Sequence, residues 1–178
     1  MANALDFAAY FRTLPGVSGQ MQLQKLLYYS QAWSLVWTGQ QAFEDRIEAW
    51  VDGPVTRNVW THFKWTPRED WQGNASALSP QEISIADAIA KFYGSMSGSR
   101  LSDLSHTEAP WVDAYNSARN TEIKPLEMLR YYSTKAVSSE EVPMRPTLEE
   151  NYVDDQVFVD AAEEQIARWQ ETLDLLAR

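Results

Sequence analysis

The 178-residue sequence contains no cysteine. Thiol nucleophiles, disulfide frameworks, cysteine-ligated zinc and iron–sulfur centres are therefore excluded. Histidine is scarce, with only His62 and His106 to supply general-base or metal chemistry. The longest unbroken apolar run, residues 7–11, is far shorter than the roughly 20 residues a membrane-crossing helix needs. No basic stretch precedes Asp6, so no secretion signal is expected, and the expected location is the cytoplasm. Neither a Gly-x-Gly-x-x-Gly run nor a Gly-Lys-Ser/Thr loop is present to cradle a phosphate. Gly94-Ser95-Met96-Ser97-Gly98 has the outline of a hydrolase nucleophile elbow, but Met96 stands where the serine must be. Asp103, His106 and Glu108 are close in sequence, yet two or three ligands on one turn make a weak metal site, and a structural histidine is the simpler reading. The composition offers no positive case for an enzyme, a metal or a cofactor.

Clustered positive charge is also missing. The chain has 15 basic and 25 acidic residues, a formal charge of −10. Residues 1–137 hold 12 basic and 14 acidic side chains, whereas residues 138–178 hold 3 and 11, a local net of −8. Counterion release rewards clustered Lys and Arg, so duplex nucleic acid is not an expected partner of this chain alone. An acidic tail suits either a solvated surface or a basic protein partner.

What the chain does have is aromatic bulk: eight Trp, eight Tyr and six Phe. A chain of this length buries about 70% of its unfolded surface and can use such volume in a core. Residues 4–14 read as a helix, with Leu5, Ala8, Ala9 and Leu14 at helical spacing and Pro15-Gly16 as its stop. Residues 20–38 are apolar in nearly every direction, from Leu23 and Tyr28 to Trp33 and Trp37, and end at Gly39. That pattern predicts a central helix buried on most sides. Ile47-Glu48-Ala49-Trp50-Val51 alternates like a short strand before Asp52-Gly53-Pro54 turns the chain, and residues 55–65 read as a helix with Pro54 near its start. Ser79-Pro80-Gln81-Glu82 is a capping box that opens a helix to about Tyr93, with Ile85, Ala88, Ile89 and Phe92 on one face. Ser102 or Thr107 caps a further helical segment, and Pro125 opens another through about Tyr132. Residues 138–146 read as a linker, 152–159 as a short strand, and 161–176 as an amphipathic helix with Ile166, Trp169, Leu173 and Leu176 on one face. The expected fold is mainly α: a compact single-domain helical bundle around a buried central helix, with room for one short β-hairpin. Residues 1–137 form the domain, and residues 138–178 form an acidic linker and helix packed on it.

Three segments together are distinctive. They are Gln24-Lys25-Leu26-Leu27-Tyr28-Tyr29-Ser30-Gln31-Ala32-Trp33, then Ala49-Trp50-Val51-Asp52-Gly53-Pro54-Val55, then Leu101-Ser102-Asp103-Leu104-Ser105-His106-Thr107-Glu108-Ala109-Pro110-Trp111. In this order they resemble the Panacea domain family, whose pattern is a Lys-Leu-Leu-Tyr-Tyr-like helix, an Ala-Trp-x-x-Gly-Pro-Val turn and a Leu-Ser-x-Leu-Thr-His-x-Glu-x-Pro-Trp segment. The likeness covers about residues 20–115. Ser105 stands where the family usually has Thr, and Asp52 where an aromatic is common.

The resemblance implies an antitoxin of a bacterial or prophage toxin–antitoxin system, acting on a cognate toxin by direct contact. Family members neutralise unrelated toxins; at least one kind resembles a proteolytic adaptor that passes its toxin to an ATP-dependent protease, and some are phage-associated proteins. The residues carried over from the motifs are Lys25, Tyr28, Gln31, Trp33, Trp50, Gly53, Pro54, Val55, His106, Glu108, Pro110 and Trp111. They serve either the scaffold or toxin contact. Tyr28, Tyr29, Trp33 and Trp37 read first as core, and Trp50 as packing under the turn. His106, Glu108, Pro110 and Trp111 read as a helix entry, with Glu108 favourable at a helix N-terminus. A reading from another class, a hydrolase or metal protein built on His106, has only the two histidines behind it.

Overall fold

The computed structural model describes residues 2–17, 19–67, 70–138 and 141–148. The expected strand at 152–159, the helix at 161–176 and its packing on the domain all lie outside the described residues. Contacts group residues 1–147 into one unit and 148–178 into a second.

Seven α-helices and one antiparallel hairpin are found among the described residues: α1 (Ala4–Phe11), α2 (Gln20–Thr38), β1 (Ile47–Trp50), β2 (Gly53–Thr56), α3 (Arg57–Trp65), α4 (Pro80–Tyr93), α5 (Gly98–Ser105), α6 (Ala109–Ser117) and α7 (Pro125–Val137). None of the described helices is long and apolar enough to cross a membrane. The fold is mainly α, with α2 at its centre, in contact with α1, α3, α4, α5, α7 and β2.

The burial of α2 is nearly continuous from Gln22 to Leu35, and Gly39 closes the helix in the left-handed conformation (φ +71°). Its apolar side chains fill the core, but its buried polar side chains have a separate job: they hold the turns that pass over it. Gln22 Nε2 donates to the carbonyls of Gly94 and Met96, both at 2.9 Å, fixing the α4–α5 turn. Gln31 Oε1 accepts from the Ala42 amide at 2.8 Å while its Nε2 donates to Phe43 O at 3.1 Å. Ser34 Oγ donates to Gln40 O at 2.9 Å. A buried amide or hydroxyl without such partners would be costly, so these polar residues fix where the loops run.

Several boundaries differ from the sequence reading. Helix α1 turns Ala4, Phe7, Ala8 and Phe11 inward, leaving Leu5 and Ala9 half-buried. Gly53-Pro54 does not make the chain reversal. Val51 and Asp52 form the turn, and Gly53 to Thr56 run back as β2, with Trp50 paired to Gly53 and Ala49 to Pro54. Helix α3 therefore starts at Arg57 rather than Val55, because Val55 and Thr56 are held in the ladder. The other edge of β1 is covered by the segment before α7: the Ala49 amide donates to Thr121 O and the Ile123 amide to Ile47 O, both at 2.8 Å. The capping box is present as expected, Ser79 Oγ accepting from the Glu82 amide and Glu82 Oε2 from the Ser79 amide. The buried face of α4, however, is Ile85, Ala86, Ile89 and Tyr93. Ser97, rather than Ser102 or Thr107, caps α5. Helix α7 runs five residues past Tyr132. Val142 and Met144 to Pro146, read as linker, together with Thr147 line a cleft of about 660 Å³ with Ser84, Asp87, Ala88, Lys91 and Phe92 of α4.

Candidate functional site

The motif residues gather at two adjoining centres. At the first, the hairpin turn is pinned onto α2 and α5. Lys25 extends from α2 and its ammonium donates to Asp52 O (2.5 Å) and Pro54 O (3.1 Å). Asp52 O also accepts from Ser102 Oγ at 2.8 Å. The neighbouring Gln24 accepts from the Thr56 amide at 2.8 Å. Trp111 of α6 donates through Nε1 to Trp50 O at 3.1 Å. Three helices, α2, α5 and α6, thus share the carbonyls and amides of one hairpin.

Gly53 is what lets them meet. It sits at φ +92°, and a β-carbon there would stand 2.8 Å from Ser105 Oγ and 2.9 Å from Lys25 Nζ. Lys25 is only 1% exposed. Burial pushes its ammonium down to about 8, with Asp52 opposing the shift. His106 packs its ring 4.1 Å from that of Trp111, which in turn stacks on Tyr115 at 4.6 Å. Burial, then the Lys25 charge, holds the imidazole below its ordinary pKa, against Asp103 and Asp52. Its Nε2 is buried with no hydrogen-bond partner among the described residues, as are Gln24 Nε2 and Thr56 Oγ1.

At the second centre, Glu108 enters the aromatic core. It is fully buried. Oε2 accepts from Tyr132 Oη at 2.6 Å and Tyr29 Oη at 3.2 Å, and Oε1 pairs with Lys135 Nζ at 3.1 Å. The Tyr28 and Tyr132 hydroxyls are 3.2 Å apart, and because the Tyr132 proton points at Glu108, Tyr28 is the donor in that pair. Tyr29 stacks on Tyr93 with centroids 4.0 Å apart, and Trp33 Nε1 donates to Tyr93 Oη at 3.2 Å. Burial raises the Glu108 carboxyl pKa, opposed by the Tyr132 bond and Lys135. Burial, then the Glu108 charge, raises those of Tyr28, Tyr29 and Tyr132 well above 10.

This geometry sorts the expected residues. Lys25, Trp50, Gly53, Pro54, His106 and Trp111 belong to the first centre; Tyr28, Trp33 and Glu108 to the second. Gln31 acts apart from both, on the loop at Ala42 and Phe43. Val55 is a buried strand residue and Pro110 a buried first-turn residue of α6. Glu108 does occupy the position before α6, but its side chain makes no cap bond there; it points instead at Tyr29, Tyr132 and Lys135. The ring of Trp50 does not lie under the turn: its Nε1 bonds Glu48 at 2.9 Å and the ring meets Trp60 edge-on at 4.9 Å. The sequence reading missed Gln24, Ser102, Ser105, Tyr93, Tyr132 and Lys135. A lysine three residues after Tyr132 was a signal, hidden by ending the helix too early.

Three segments far apart in sequence thus close on two adjoining buried centres. The model of the antitoxin SocA-like Panacea domain family matches residues 23–112, half of the chain, and takes in all three. The chain belongs to this family. Comparison with curated proteins and with solved structures gave no match. The matched region ends before α7, so the Panacea motif contains Glu108 but not Tyr132 or Lys135, which complete its surroundings. Membership in an antitoxin-like family supports a function of the antitoxin type. The Panacea signature itself is a set of cross-links: Lys25 and Glu108 have their polar atoms occupied by neighbours and are shut away from solvent. Among the described residues no group of three His, Asp or Glu side chains is arranged to hold a metal ion.

Proposed function

We propose that the protein is an antitoxin that neutralises a cognate toxin by direct protein–protein binding, acting in the cytoplasm and without catalysis. The observation that carries the reading is the inward use of the signature: the family's shared residues hold the hairpin, α5, α6 and α7 on α2. A domain built this way offers a rigid body on which partner-contacting residues can differ. Neutralisation is steric, by covering an active site or holding the toxin in an inactive form.

The test uses the reading frame beside this chain's gene, where the toxin of such a pair is encoded. Its product should arrest growth when expressed alone and be tolerated when this chain is co-expressed, and the two proteins should co-elute as a purified complex. Protection that persists in a host lacking ATP-dependent proteases supports direct neutralisation. Protection that vanishes there identifies a proteolytic adaptor. A neighbour that is harmless, or a toxin that this chain neither binds nor silences, refutes the reading.

A further inference from the structure

The outward side of α3 is not explained by the fold. Val59 and Phe63 face the core and are buried. Arg57, Trp60, Thr61 and Lys64 follow at i, i+3, i+4 and i+7, one stripe along the helix, with Trp65 beside its end. A solvated stripe normally carries polar residues. Here Trp65 is 72% exposed and Trp60 half-buried against Trp50. The Lys64 ammonium lies 4.4 Å from the centre of the Trp60 ring and 5.0 Å from that of Trp65. Arg57 is 3.5 Å from Glu48 and remains mostly exposed. The helix carries no carboxylate from Arg57 to Trp65, so a chain of net charge −10 presents a local positive, aromatic strip.

We infer that this strip is where the toxin docks, and that its complement is an acidic segment of the toxin: an apolar anchor against Trp65 and Trp60, flanked by carboxylates that meet Lys64 and Arg57. The inference rests on the antitoxin reading above. Trp and Arg are the residue types that dominate binding energy at interfaces, particularly where they surround one desolvated patch. Lys64 is already placed over two rings, so little side-chain freedom remains to be lost on binding. Charge complementarity selects the partner: the Lys64 ammonium over two rings, with the mostly exposed Arg57 of the Arg57–Glu48 pair on the same stripe of α3, fits carboxylates on a protein segment. These two cations are too few to hold a nucleic-acid backbone at physiological salt.

The experiment uses the full chain and the toxin identified by co-expression. Trp65→Ser and Lys64→Glu should each weaken the complex about tenfold or more, and together they should abolish growth protection. Both variants should melt like the wild type. Leu126→Ser, at an exposed apolar site on α7 (53% exposed), should bind as the wild type does. A toxin variant with one acidic residue changed to Lys should restore binding to Lys64→Glu. Unchanged affinity in the double variant overturns the inference while leaving the antitoxin reading intact; a wild type that neither binds nor protects removes both. Two further results overturn it in favour of another occupant. One is a wild-type dimer split by Trp65→Ser, which assigns the strip to a second copy. The other is oligothymidine binding lost in Trp65→Ser while toxin affinity is unchanged, which assigns it to single-stranded nucleic acid.

Discussion

Gly53→Ala probes the first centre most sharply. Gly53 lies at φ +92°, where an alanine costs roughly 1–2 kcal/mol in backbone strain alone. The added carbon would also lie 2.8 Å from Ser105 Oγ and 2.9 Å from Cε and Nζ of Lys25. Ser105 is held by its bond to Ser102 O at 2.7 Å. Lys25 is the flexible neighbour, but moving it breaks at least one charged hydrogen bond, to Asp52 O or Pro54 O, worth about 1.5–3 kcal/mol. The sum is about 2.5–5 kcal/mol, a large part of the roughly 5–15 kcal/mol typical of a domain. Urea unfolding followed by tryptophan fluorescence measures it directly. The cause is isolated by repeating the substitution in Lys25→Leu, which lacks both Cε and Nζ. There Gly53→Ala should cost at least about 1 kcal/mol less, a coupling that a double-mutant cycle reads. A loss below about 1 kcal/mol in the wild type, or the same loss in both backgrounds, would refute the claim that glycine is required by the lysine.

Three more predictions follow from the same two centres and the tail. Because the folded Lys25 ammonium has a pKa of about 8 against 10.5 unfolded, the unfolded chain binds more protons above pH 8. Stability should therefore rise by up to about 2 kcal/mol between pH 8 and about 9.5, before the tyrosines with raised pKa reverse the slope; Lys25→Leu should be flat there. Glu108 has the opposite sign: its raised folded pKa gives stability that is full below the unfolded value of 4.5 and is lost as pH rises through the folded value. Glu108→Gln should remove that component of the acid-side pH profile and cost about 1–3 kcal/mol at neutral pH through the lost Lys135 pair and Tyr bonds. Equal pH profiles in the two proteins would contradict this. Finally, deleting residues 149–178 removes most of the acidic tail while keeping the stretch beside α4. It should slow association at low salt with a toxin that is basic outside the acidic segment docked on α3, and leave dissociation nearly unchanged, an effect read by stopped-flow mixing. An association rate that does not move ends the steering idea.

What could be read in advance was local. The limits of α2 follow from its own apolar run and Gly39, and the start of α4 from Ser79, Pro80 and Glu82, because a cap is settled within four residues. Strand β2 was not readable, since Gly53-Pro54-Val55-Thr56 is a strand only while β1 pairs with it and Gln24 and Lys25 bind its backbone. Periodicity alone did not mark Gln22, Gln24 and Gln31 as clamps, because their partners lie 10 to 74 residues away. Glu108 shows the same limit most plainly. Its position at a helix start suggested a dipole partner, but burial beside two tyrosines and a lysine outweighs that small gain, and those groups come from α2 and α7. Pattern and spacing found the signature; only tertiary contacts show that it is a set of cross-links.

That division separates stability from recognition, and the separation can be crossed experimentally. Trp65 is exposed and, among the described residues, makes no side-chain hydrogen bond, so Trp65→Ser should change stability by no more than about 0.5 kcal/mol while weakening toxin binding. Gly53 is a buried residue of β2, so Gly53→Ala should lower stability by several kcal/mol yet leave affinity unchanged at temperatures where the variant is still folded. Each substitution is the other's control. A melting transition lowered by Trp65→Ser would make the α3 strip part of the scaffold. A folded Gly53→Ala protein that no longer binds would place the hairpin turn, with Val51 exposed at its tip, inside the interface. The second result would show that this family's signature and its recognition surface overlap, and the inward-facing account of Lys25 and Gly53 would then have to include the toxin.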